Sequence, residues 1–559
     1  MVARSSSVIG LIFTIDGAIK ISPARKRSLM PRPHTVVFVL ALVMMFMAPS
    51  NSVAAPDSYA RSNNKIPNIQ ASSPAVGGAS DKDGGCVVNA PYNNHRGESW
   101  IAIDPSNPAR LVGMSKFFFD PLFYLFHLGS YASFDGGSTW SNEVIPGFDC
   151  QSAPAFSWVN TTDPILAFDP NGVAYSTMLP YSLKYNSVES QVWGVVPNSA
   201  ISVVKSTDGG TTWKMGNQGQ PLAIYNSSGL GRTADKQWMT ADANPSSPFA
   251  GNVYVGWTLF AGFSSELWFS RSTDHGEHFS TPVQISFANN DGPFNTYIFL
   301  GTGPDGALYI SYGSFPSHLS PESDVWLLKS TDGGQTFTGP TLAAQFRFVT
   351  AAALPNTTFR DGISYNMSVN PTNGHVLLAL EVQGDSGIDV QLTESTDGGQ
   401  TFSEPIFVND AATVHDSTDQ FQPTVAAGPN GTVAVAFYDR RLACPTGDVN
   451  ILPQDQGRTN FCIDTSVQFF SDGGGGLQRL GSNIRVTQAT WDPQNPGTTT
   501  GQLAHPGGPN SSLTFIGDYF GLALGKQNAY LLFLSNYNLG KNPTNDEQQF
   551  LGIVPIPAK

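Results

Sequence analysis

The eight-residue stretch STDGGQTF occupies residues 330–337 and recurs unchanged at residues 395–402. Close variants begin at three further positions, as SFDGGSTW at residue 133, STDGGTTW at residue 206 and STDHGEHF at residue 272. A sixth, decayed copy without the aromatic residue reads SDGGGG from residue 471. The aspartates of the six copies lie 58 to 75 residues apart, at Asp135, Asp208, Asp274, Asp332, Asp397 and Asp472. Self-similarity at a nearly constant spacing predicts a repeat architecture, either a propeller or a solenoid.

The segments between the copies share one pattern of apolar runs and turns. In the unit that begins near residue 164, the run 165–168 leads through Asp169-Pro170-Asn171-Gly172 into the run 173–178. Such turn signals between apolar runs are typical of β-hairpins. A third strand precedes each copy of the motif and a short fourth strand follows it. We therefore expect each unit to form one four-stranded antiparallel propeller blade.

The number of predicted blades follows from the first strands of the units. Seven candidates begin near residues 99, 164, 237, 296, 362, 422 and 516. The last hairpin, at residues 515–524 and 529–534, has no copy of the motif after it. The sequence thus predicts an all-β propeller of seven blades, with six blades as the alternative.

The repeated motif itself predicts a structural role for its aspartate. The carboxylate is placed to accept backbone N–H bonds within its own turn, and the glycines permit positive φ angles. Six equivalent copies cannot all face one site. We therefore expect the six aspartates to stabilise turns rather than to take part in catalysis.

The motif resembles the Asp box, or BNR repeat, of the sialidase superfamily. The resemblance extends over roughly residues 95–555 and depends on five well-preserved copies. Similar boxes occur in sialidases, in other glycosidases, in sortilin-type receptors and in proteins without enzyme activity. The resemblance therefore implies the fold and leaves the activity open.

Sialidases of this superfamily bind the substrate carboxylate with three arginines, because guanidinium groups bind a carboxylate bidentately. By resemblance, the substrate-binding candidates are Arg96, Arg232 and Arg360, which precede first strands in alternate units. The other interpretation is that all three lie on loop surfaces. The chain lacks the Phe-Arg-Ile-Pro segment that the family has before its first blade.

The same resemblance implies a tyrosine nucleophile and two acids, since glycoside hydrolysis passes through an oxocarbenium-like transition state. The catalytic candidates are Tyr519, Glu98 and Asp235, with Tyr438 as the alternative tyrosine. Acids at the predicted entrances of the inner strands comprise Glu98, Asp235, Asp361, Asp419 and Asp518. Such a ring supplies an acid and a base. The alternative interpretation is that these acids cap turns or hold a cation.

The N-terminus is typical of a targeting segment. Basic residues at 25–32 precede an apolar run at 36–47, and small residues at 52–55 fit a cleavage site. We expect residues 1–55 to be a secretory signal peptide, with Met30 as an alternative start and a retained anchor as the other interpretation. Residues 56–90 are rich in Ser, Asn, Gly and Ala, which predicts a flexible linker before the propeller at 91–559.

Charge and cysteine content limit the partners. The chain carries a formal charge of −14, and −19 without residues 1–55, which makes nucleic acid an unfavourable partner. An exported chain lets Cys444 pair with Cys462, and Cys86 then pairs with Cys150 only by elimination among three possible connectivities. Without a C-x-x-C motif or clustered histidines, no metal or cofactor is predicted.

Two functions remain open from the sequence. The first is a secreted, periplasmic or cell-surface glycoside hydrolase of sialidase-like type, exo-acting on an acidic or neutral glycan. The second is a non-catalytic propeller that binds glycan or protein. We expect a monomer without a membrane span in the mature chain.

Overall fold

The computed structural model describes residues 66–73, 95–120, 125–146, 160–182, 198–225, 232–262, 264–286, 293–316, 322–347, 354–357, 359, 361–384, 387–410, 417–473, 476–494, 515–542 and 545–558. Within them the chain forms seven antiparallel sheets, and the described residues contain no helix longer than a single irregular turn at Asn217–Gly219. Each sheet is one blade of a propeller, numbered here in chain order. The predicted all-β propeller with seven blades is confirmed.

The first strand of the described chain, β1 (Asn68–Gln70), belongs to the last blade. Blade 1 consists of β2 (Arg96–Ile103), β3 (Leu111–Asp120), β4 (Leu125–Ser133) and β5 (Ser141–Val144). Blade 2 consists of β6 (Asn160–Phe168), β7 (Ala174–Ser182), β8 (Asn198–Ser206) and a divided outer strand, β9 (Lys214–Met215) and β10 (Ala223–Tyr225). Blade 3 consists of β11 (Arg232–Ala241), β12 (Val253–Ala261), β13 (Ser264–Ser272) and β14 (Val283–Gln284).

The remaining blades repeat this order of strands. Blade 4 consists of β15 (Phe294–Thr302), β16 (Leu308–Phe315), β17 (Glu322–Ser330) and β18 (Thr338–Arg347). Blade 5 consists of β19 (Tyr365–Val369), β20 (Val376–Gln383), β21 (Ile388–Ser395) and β22 (Ile406–Phe407). Blade 6 consists of β23 (Gln420–Ala427), β24 (Thr432–Asp439), β25 (Asp464–Gly473) and β26 (Gly476–Arg485). Blade 7 consists of β27 (Gly521–Leu524), β28 (Asn528–Ser535), β29 (Gln548–Pro555) and β1.

The innermost strand of each blade packs against the innermost strands of its two neighbours, and the ring closes between β27 and β2. The second strands lie between two neighbouring sheets, so both of their faces are covered. Every residue of β16 and of β24 is accordingly buried, and both strands read as nearly continuous apolar runs. The hydrophobic core is thus distributed between the blades, and face-to-face packing of sheets is what holds the ring together.

Ring closure joins the two ends of the described chain. β1 pairs antiparallel with β29, with Ile69 opposite Leu551. The buried side chain of Asn68 donates to the carbonyl of Val486 at 2.9 Å and accepts from the amide of Gln488 at 2.6 Å. β1 was predicted as part of the linker 56–90, and the structure instead makes it the outer strand of blade 7. The other linker residues lie outside the described residues, apart from 66, 67 and 71–73, which flank β1.

Five copies of the repeated motif form the same turn between the third and fourth strands of their blades. In the copy at residues 395–402, Ser395 Oγ donates to Asp397 Oδ1 at 2.8 Å and accepts from Gly399 N at 2.8 Å. The same carboxylate accepts from the amide of Thr401 at 3.0 Å and from its hydroxyl at 2.6 Å. These hydrogen bonds lower the pKa of Asp397 to about 2, the Thr401 hydroxyl contributing most. Asp135, Asp208, Asp274 and Asp332 accept equivalent bonds in their own turns.

The sixth copy does not form this turn, which corrects the interpretation of Asp472. Asp472 lies within β25, opposite Leu477 of β26. Its buried carboxylate accepts from Asn370 Nδ2 at 2.6 Å and lies 2.8 Å from His375 Nδ1, both in blade 5. The physical reason is that β25 and β26 continue as a hairpin through the segment where the other blades insert the turn.

A disulfide joins Cys444 to Cys462, as predicted. It closes the connection between β24 and β25, whose residues Ile451 and Phe461 pack against the two cysteines. The predicted partners Cys86 and Cys150 lie outside the described residues. No described residue belongs to a helix long and apolar enough to cross a membrane.

Ring closure through β1 yields a stability prediction. We expect Asn68→Ala to lower the free energy of unfolding by about 1–3 kcal/mol, because it leaves the buried carbonyl of Val486 and the amide of Gln488 without their partner. Guanidinium denaturation measures the change. Gln478→Ala, which removes an exposed amide from β26, is the control and should shift the midpoint little. Equal midpoints for Asn68→Ala and the control would contradict the role given to β1.

Candidate functional site

Five of the seven inner strands carry a bulge at which the backbone turns left-handed. The register with the second strand shifts at each bulge, and a non-glycine residue there has a φ angle between 48° and 56°. The five residues are Glu98, Asp163, Lys236, Tyr297 and Gln422. A left-handed conformation is strained for such residues, and strained positions cluster at functional sites. The repeated bulges therefore locate the candidate site on the inner strands.

An aromatic layer lies next to the bulges. Trp100, Trp238 and Phe299 each follow a bulge residue by two positions. The rings of Trp100 and Trp238 meet edge to face with centroids 4.7 Å apart, and Trp238 meets Phe299 at 4.5 Å. Tyr519 packs against both tryptophans, at 6.1 and 5.8 Å. This layer gives the ionisable groups beside it surroundings of low polarity.

Glu98 is buried at the first bulge and has two neighbours that contact its carboxyl group. Lys116 Nζ of β3 lies 2.9 Å from Glu98 Oε2. The Thr162 hydroxyl lies 3.2 Å from the same oxygen and 2.7 Å from Asp163 Oδ1, so it links the carboxyl groups of two neighbouring bulges. Burial raises the pKa of Glu98 to about 7; Lys116 opposes the rise, whereas Asp163 and Asp518 add to it. Glu98 therefore carries a proton in a substantial fraction of molecules at neutral pH.

Asp518 connects this group to the opposite inner strands. Its carboxylate is 1% exposed and lies 2.7 Å from Lys236 Nζ. A Cβ atom on Gly362 would approach Asp518 Oδ1 to 2.3 Å, so only glycine leaves room for the carboxylate there. Asp518 raises the pKa of both Glu98 and Asp361, so its charge acts on both acids.

A second pair of carboxyl groups, Asp361 and Glu381, lies on the blade 5 side of Asp518. Both are at most 4% exposed, and Glu381 Oε2 accepts from the backbone amide of Gln422 at 2.8 Å. Burial raises the pKa of Asp361 to about 7, and burial together with Asp361 raises the pKa of Glu381 well above its usual range. Ionising both of two facing buried carboxyl groups has a high free-energy cost, so the pair holds a proton at neutral pH.

Lys116 and Glu381 occupy equivalent positions in the second strands of blades 1 and 5. In blade 1 the last residue of the inner strand, Ile103, pairs with Leu111, and Lys116 lies five residues after Leu111. In blade 5 the last residue of the inner strand, Val369, pairs with Val376, and Glu381 lies five residues after Val376. Lys116 is 2% exposed, and its Nζ lies 4.1 Å from the ring centroid of Phe515. One cation and one acid thus occupy the same level of the second strands in blades 1 and 5.

The structure brings the three predicted catalytic residues into one neighbourhood. The pKa of Tyr519 is raised well above its usual range by burial, and further by Asp163, Glu98, Asp518 and Asp235. Its hydroxyl donates to the carbonyl of Pro164 at 3.4 Å. A phenol with a raised pKa remains protonated, so Tyr519 is set up to donate a hydrogen bond and not to act as a preformed nucleophile. The alternative, Tyr438, is fully buried and packs against Phe520 at 4.6 Å.

Solvent reaches this cluster beside the third bulge. Asp235 is half-buried and its carboxylate accepts from the amide of Lys236 at 2.7 Å, while the Lys236 side chain is 15% exposed. The ring of Tyr297, at the next bulge, is also partly exposed. Asp235 and Lys236 form the open edge of an otherwise buried group of acids, and Tyr297 is the partly exposed residue of the next bulge.

The predicted arginine clamp is not assembled by the arginines that the structure describes. Arg96 is 1% exposed, donates to the carbonyl of Ser73 at 3.0 Å and lies over the ring of Phe117 at 4.8 Å. Arg232 is half exposed and pairs with Glu266 within its own blade. Each guanidinium is thus held by a different set of neighbours. Arg360 lies outside the described residues.

The structure does not hold all five predicted acids in the same environment. Asp419 pairs with Arg440 at 3.0 Å and accepts from Asn460 Nδ2 at 2.8 Å, so it fixes the connection that carries the disulfide. The sequence prediction missed Asp163, although it precedes the Asp-Pro turn at residue 169 by six positions, as Glu98 precedes the Asp-Pro turn at residue 104. It also missed Lys116 and Glu381, whose signal is a single charged residue within an apolar strand.

The chain matches no protein-family model, and the search of curated proteins finds no match. Similar solved structures include a protein of unknown function from Dyadobacter fermentans, at 13% identity over 83% of this chain and 95% of that one, with a TM-score of 0.40. An α-L-arabinofuranosidase from Fusarium graminearum is 14% identical over 67% of this chain and 92% of that one, with a TM-score of 0.40. A leech intramolecular trans-sialidase is 13% identical over 83% of this chain and 68% of that one, with a TM-score of 0.37. These identities and TM-scores are low, so the comparisons assign no activity to the chain.

The raised pKa values predict how stability depends on pH. A carboxyl group with a higher pKa in the folded state binds more protons there than in the unfolded state, so the free energy of unfolding falls as pH rises from about 4 to about 7. Each such group contributes at most about 1.4 kcal/mol per pH unit. Asp361→Asn removes one titrating group and relieves Glu381 of a like charge, so we expect a shallower decline. Denaturant titrations at pH 4.5, 5.5, 6.5 and 7.5 measure the slope.

The control for this experiment is Asp135→Asn, which changes an exposed carboxylate in a turn. It should leave the slope between pH 4.5 and 7.5 unchanged. Identical slopes for wild type and Asp361→Asn would show that the Asp361 and Glu381 pair does not titrate as described.

Proposed function

We propose that this chain is an exported, sialidase-like glycoside hydrolase and that its site is the carboxyl cluster at the inner-strand bulges. The observation that carries the proposal is Glu98, a buried acid with a pKa of about 7 beside the Asp163 carboxyl group and the fixed cations Lys116 and Lys236. A proton donor for a glycosidic oxygen needs a pKa near the working pH. Glycoside hydrolysis requires a second carboxyl group in addition to the donor.

In this proposal Glu98 protonates the leaving oxygen. Asp235, at the open edge of the cluster, is the candidate for the second carboxyl group, which activates water. Tyr519 donates a hydrogen bond and closes the apolar side of the site with Trp100 and Trp238. The partly exposed ring of Tyr297 offers a flat surface on which a sugar ring can pack.

The proposed substrate is a neutral glycan. The acids of the cluster outnumber Lys116 and Lys236, and Arg96 and Arg232 are occupied by Ser73, Phe117 and Glu266. The guanidinium groups of Arg96 and Arg232 are therefore not available to bind the carboxylate of an acidic sugar. Export is supported by the disulfide between Cys444 and Cys462, because disulfides persist in oxidising compartments.

The experiment is an assay of the full chain on a panel of neutral and acidic polysaccharides, with the released sugars sized by chromatography. We expect turnover on a neutral glycan with monosaccharide products, the mark of exo action. Activity should decline above about pH 7, where Glu98 loses its proton. Glu98→Gln should reduce kcat by at least about 100-fold, whereas the turn variant Asp135→Asn should retain it. Full activity of Glu98→Gln would exclude Glu98 as the proton donor.

A second candidate function is a glycan-binding propeller without catalysis. It is favoured by the burial of Glu98, Asp361 and Glu381, each at most 4% exposed. Affinity electrophoresis on gels that contain the same polysaccharides distinguishes the two functions. Retardation by a neutral glycan without any turnover would support the binding function and exclude the hydrolase.

A further inference from the structure

A cluster of three metal-ligating side chains joins blades 5 and 6, away from the bulges. His375 precedes β20, Glu394 lies in β21 and Asp472 lies in β25. His375 Nδ1 lies 2.8 Å from Asp472 Oδ1 and 3.7 Å from Glu394 Oε2, and one ligand atom from each residue lies within 4.8 Å of the other two. Among the described residues this is the group of three such side chains that could hold one metal ion.

Glu394 breaks a pattern that blades 2, 3 and 4 follow. The residue before the serine of the repeated turn is basic in blades 2, 3 and 4, and it donates to a backbone carbonyl in the turn of the following blade. The three contacts are Lys205 to His275 at 3.1 Å, Arg271 to Gly333 at 2.7 Å and Lys329 to Gly398 at 3.4 Å. Blade 5 places the acid Glu394 at this position, and the following blade lacks the turn.

The environment of Glu394 leaves one of its oxygens directed at the cluster. Oε1 accepts from the backbone amide of Leu477 at 3.1 Å. Oε2 is buried without a hydrogen-bond partner, and the residue is 5% exposed. A buried carboxylate oxygen without a partner is costly unless a cation or a proton neutralises it.

The neighbours of Asp472 orient its other oxygen toward the same point. Oδ2 accepts from Asn370 Nδ2 at 2.6 Å and from Asn373 Nδ2 at 3.1 Å. Oδ1 is thereby left facing His375. Hydrogen bonds of this kind to the second oxygen are what fix a carboxylate ligand in a metal site.

We propose that His375, Glu394 and Asp472 bind one Zn²⁺ ion that joins blade 5 to blade 6. One imidazole nitrogen with two carboxylate oxygens suits zinc, whereas calcium and magnesium prefer oxygen ligands alone. Ligands at about 2.0 Å from zinc in a tetrahedron lie about 3.3 Å apart, so the observed separations need only small side-chain rotations. The ion replaces the contact that a basic residue and the following turn make between other neighbouring blades.

The test uses the full chain without a polyhistidine tag, incubated with equimolar Zn²⁺ and dialysed against metal-free buffer. Elemental analysis should find about one zinc per chain, and zinc should raise the Tm. In Glu394→Gln, the side-chain carbonyl still accepts from Leu477 while the NH₂ group cannot bind zinc. Glu394→Gln and His375→Ala should therefore lose the bound zinc and the increase in Tm.

The matched control is His275→Ala, because His275 Nδ1 also lies 2.9 Å from a buried aspartate, Asp169, but outside the three-residue cluster. It should keep the zinc of the wild type. Circular dichroism checks that each variant is folded. If His375→Ala does not fold, the zinc content of Glu394→Gln alone tests the proposal. Zinc absent from the wild type, zinc retained by Glu394→Gln, or stabilisation by Ca²⁺ in place of Zn²⁺ would each overturn the proposal.

Discussion

Five buried carboxyl groups and two lysines meet where the inner strands bulge, and the cost of burying their charge governs the properties of this region. Lys116 and Lys236 compensate Glu98 and Asp518 directly, at 2.9 and 2.7 Å. Burial still raises the pKa of Glu98 and of Asp361 to about 7, so these two acids lower the buried charge by retaining protons. Protons held near neutral pH are what acid–base chemistry requires, and they also make the ring less stable as pH rises.

Interactions elsewhere in the fold offset the free-energy cost of burying these charges. Five turns with the Ser-x-Asp pattern fasten the outer parts of the blades, and their aspartates are exposed or partly exposed and bound to their own turns. Strand β1 closes the ring, and a large apolar cluster packs residues of several blades together. Scaffold and candidate site therefore use different residues of each repeat, so changes at the bulges leave the turns intact.

The repeats made the fold predictable from the sequence, including the seven blades, because each unit carries its own hairpin and turn signals. The closing strand β1 was missed since three residues in a Ser- and Asn-rich segment lack any alternating pattern. Asp472 was misread because SDGGGG keeps the letters of the turn while the strands on either side continue as a hairpin. Glu98, Asp235 and Tyr519 were predicted as catalytic from the family resemblance; the structure places them in one neighbourhood, and their roles stay a prediction. The roles of Lys116 and Glu381 depend on how the second strand of a blade is aligned with its first strand. The residues around Lys116 or Glu381 do not reveal this alignment.

The central claim is that Glu98 holds a proton at neutral pH inside the ring. Infrared difference spectroscopy of the protonated carboxyl C=O stretch, recorded from pH 5 to pH 9 for wild type and Glu98→Gln, measures this directly. We expect a band in the wild type that disappears with a midpoint near pH 7 and is missing from Glu98→Gln. A spectrum in which Glu98→Gln removes no band in this pH range would contradict it.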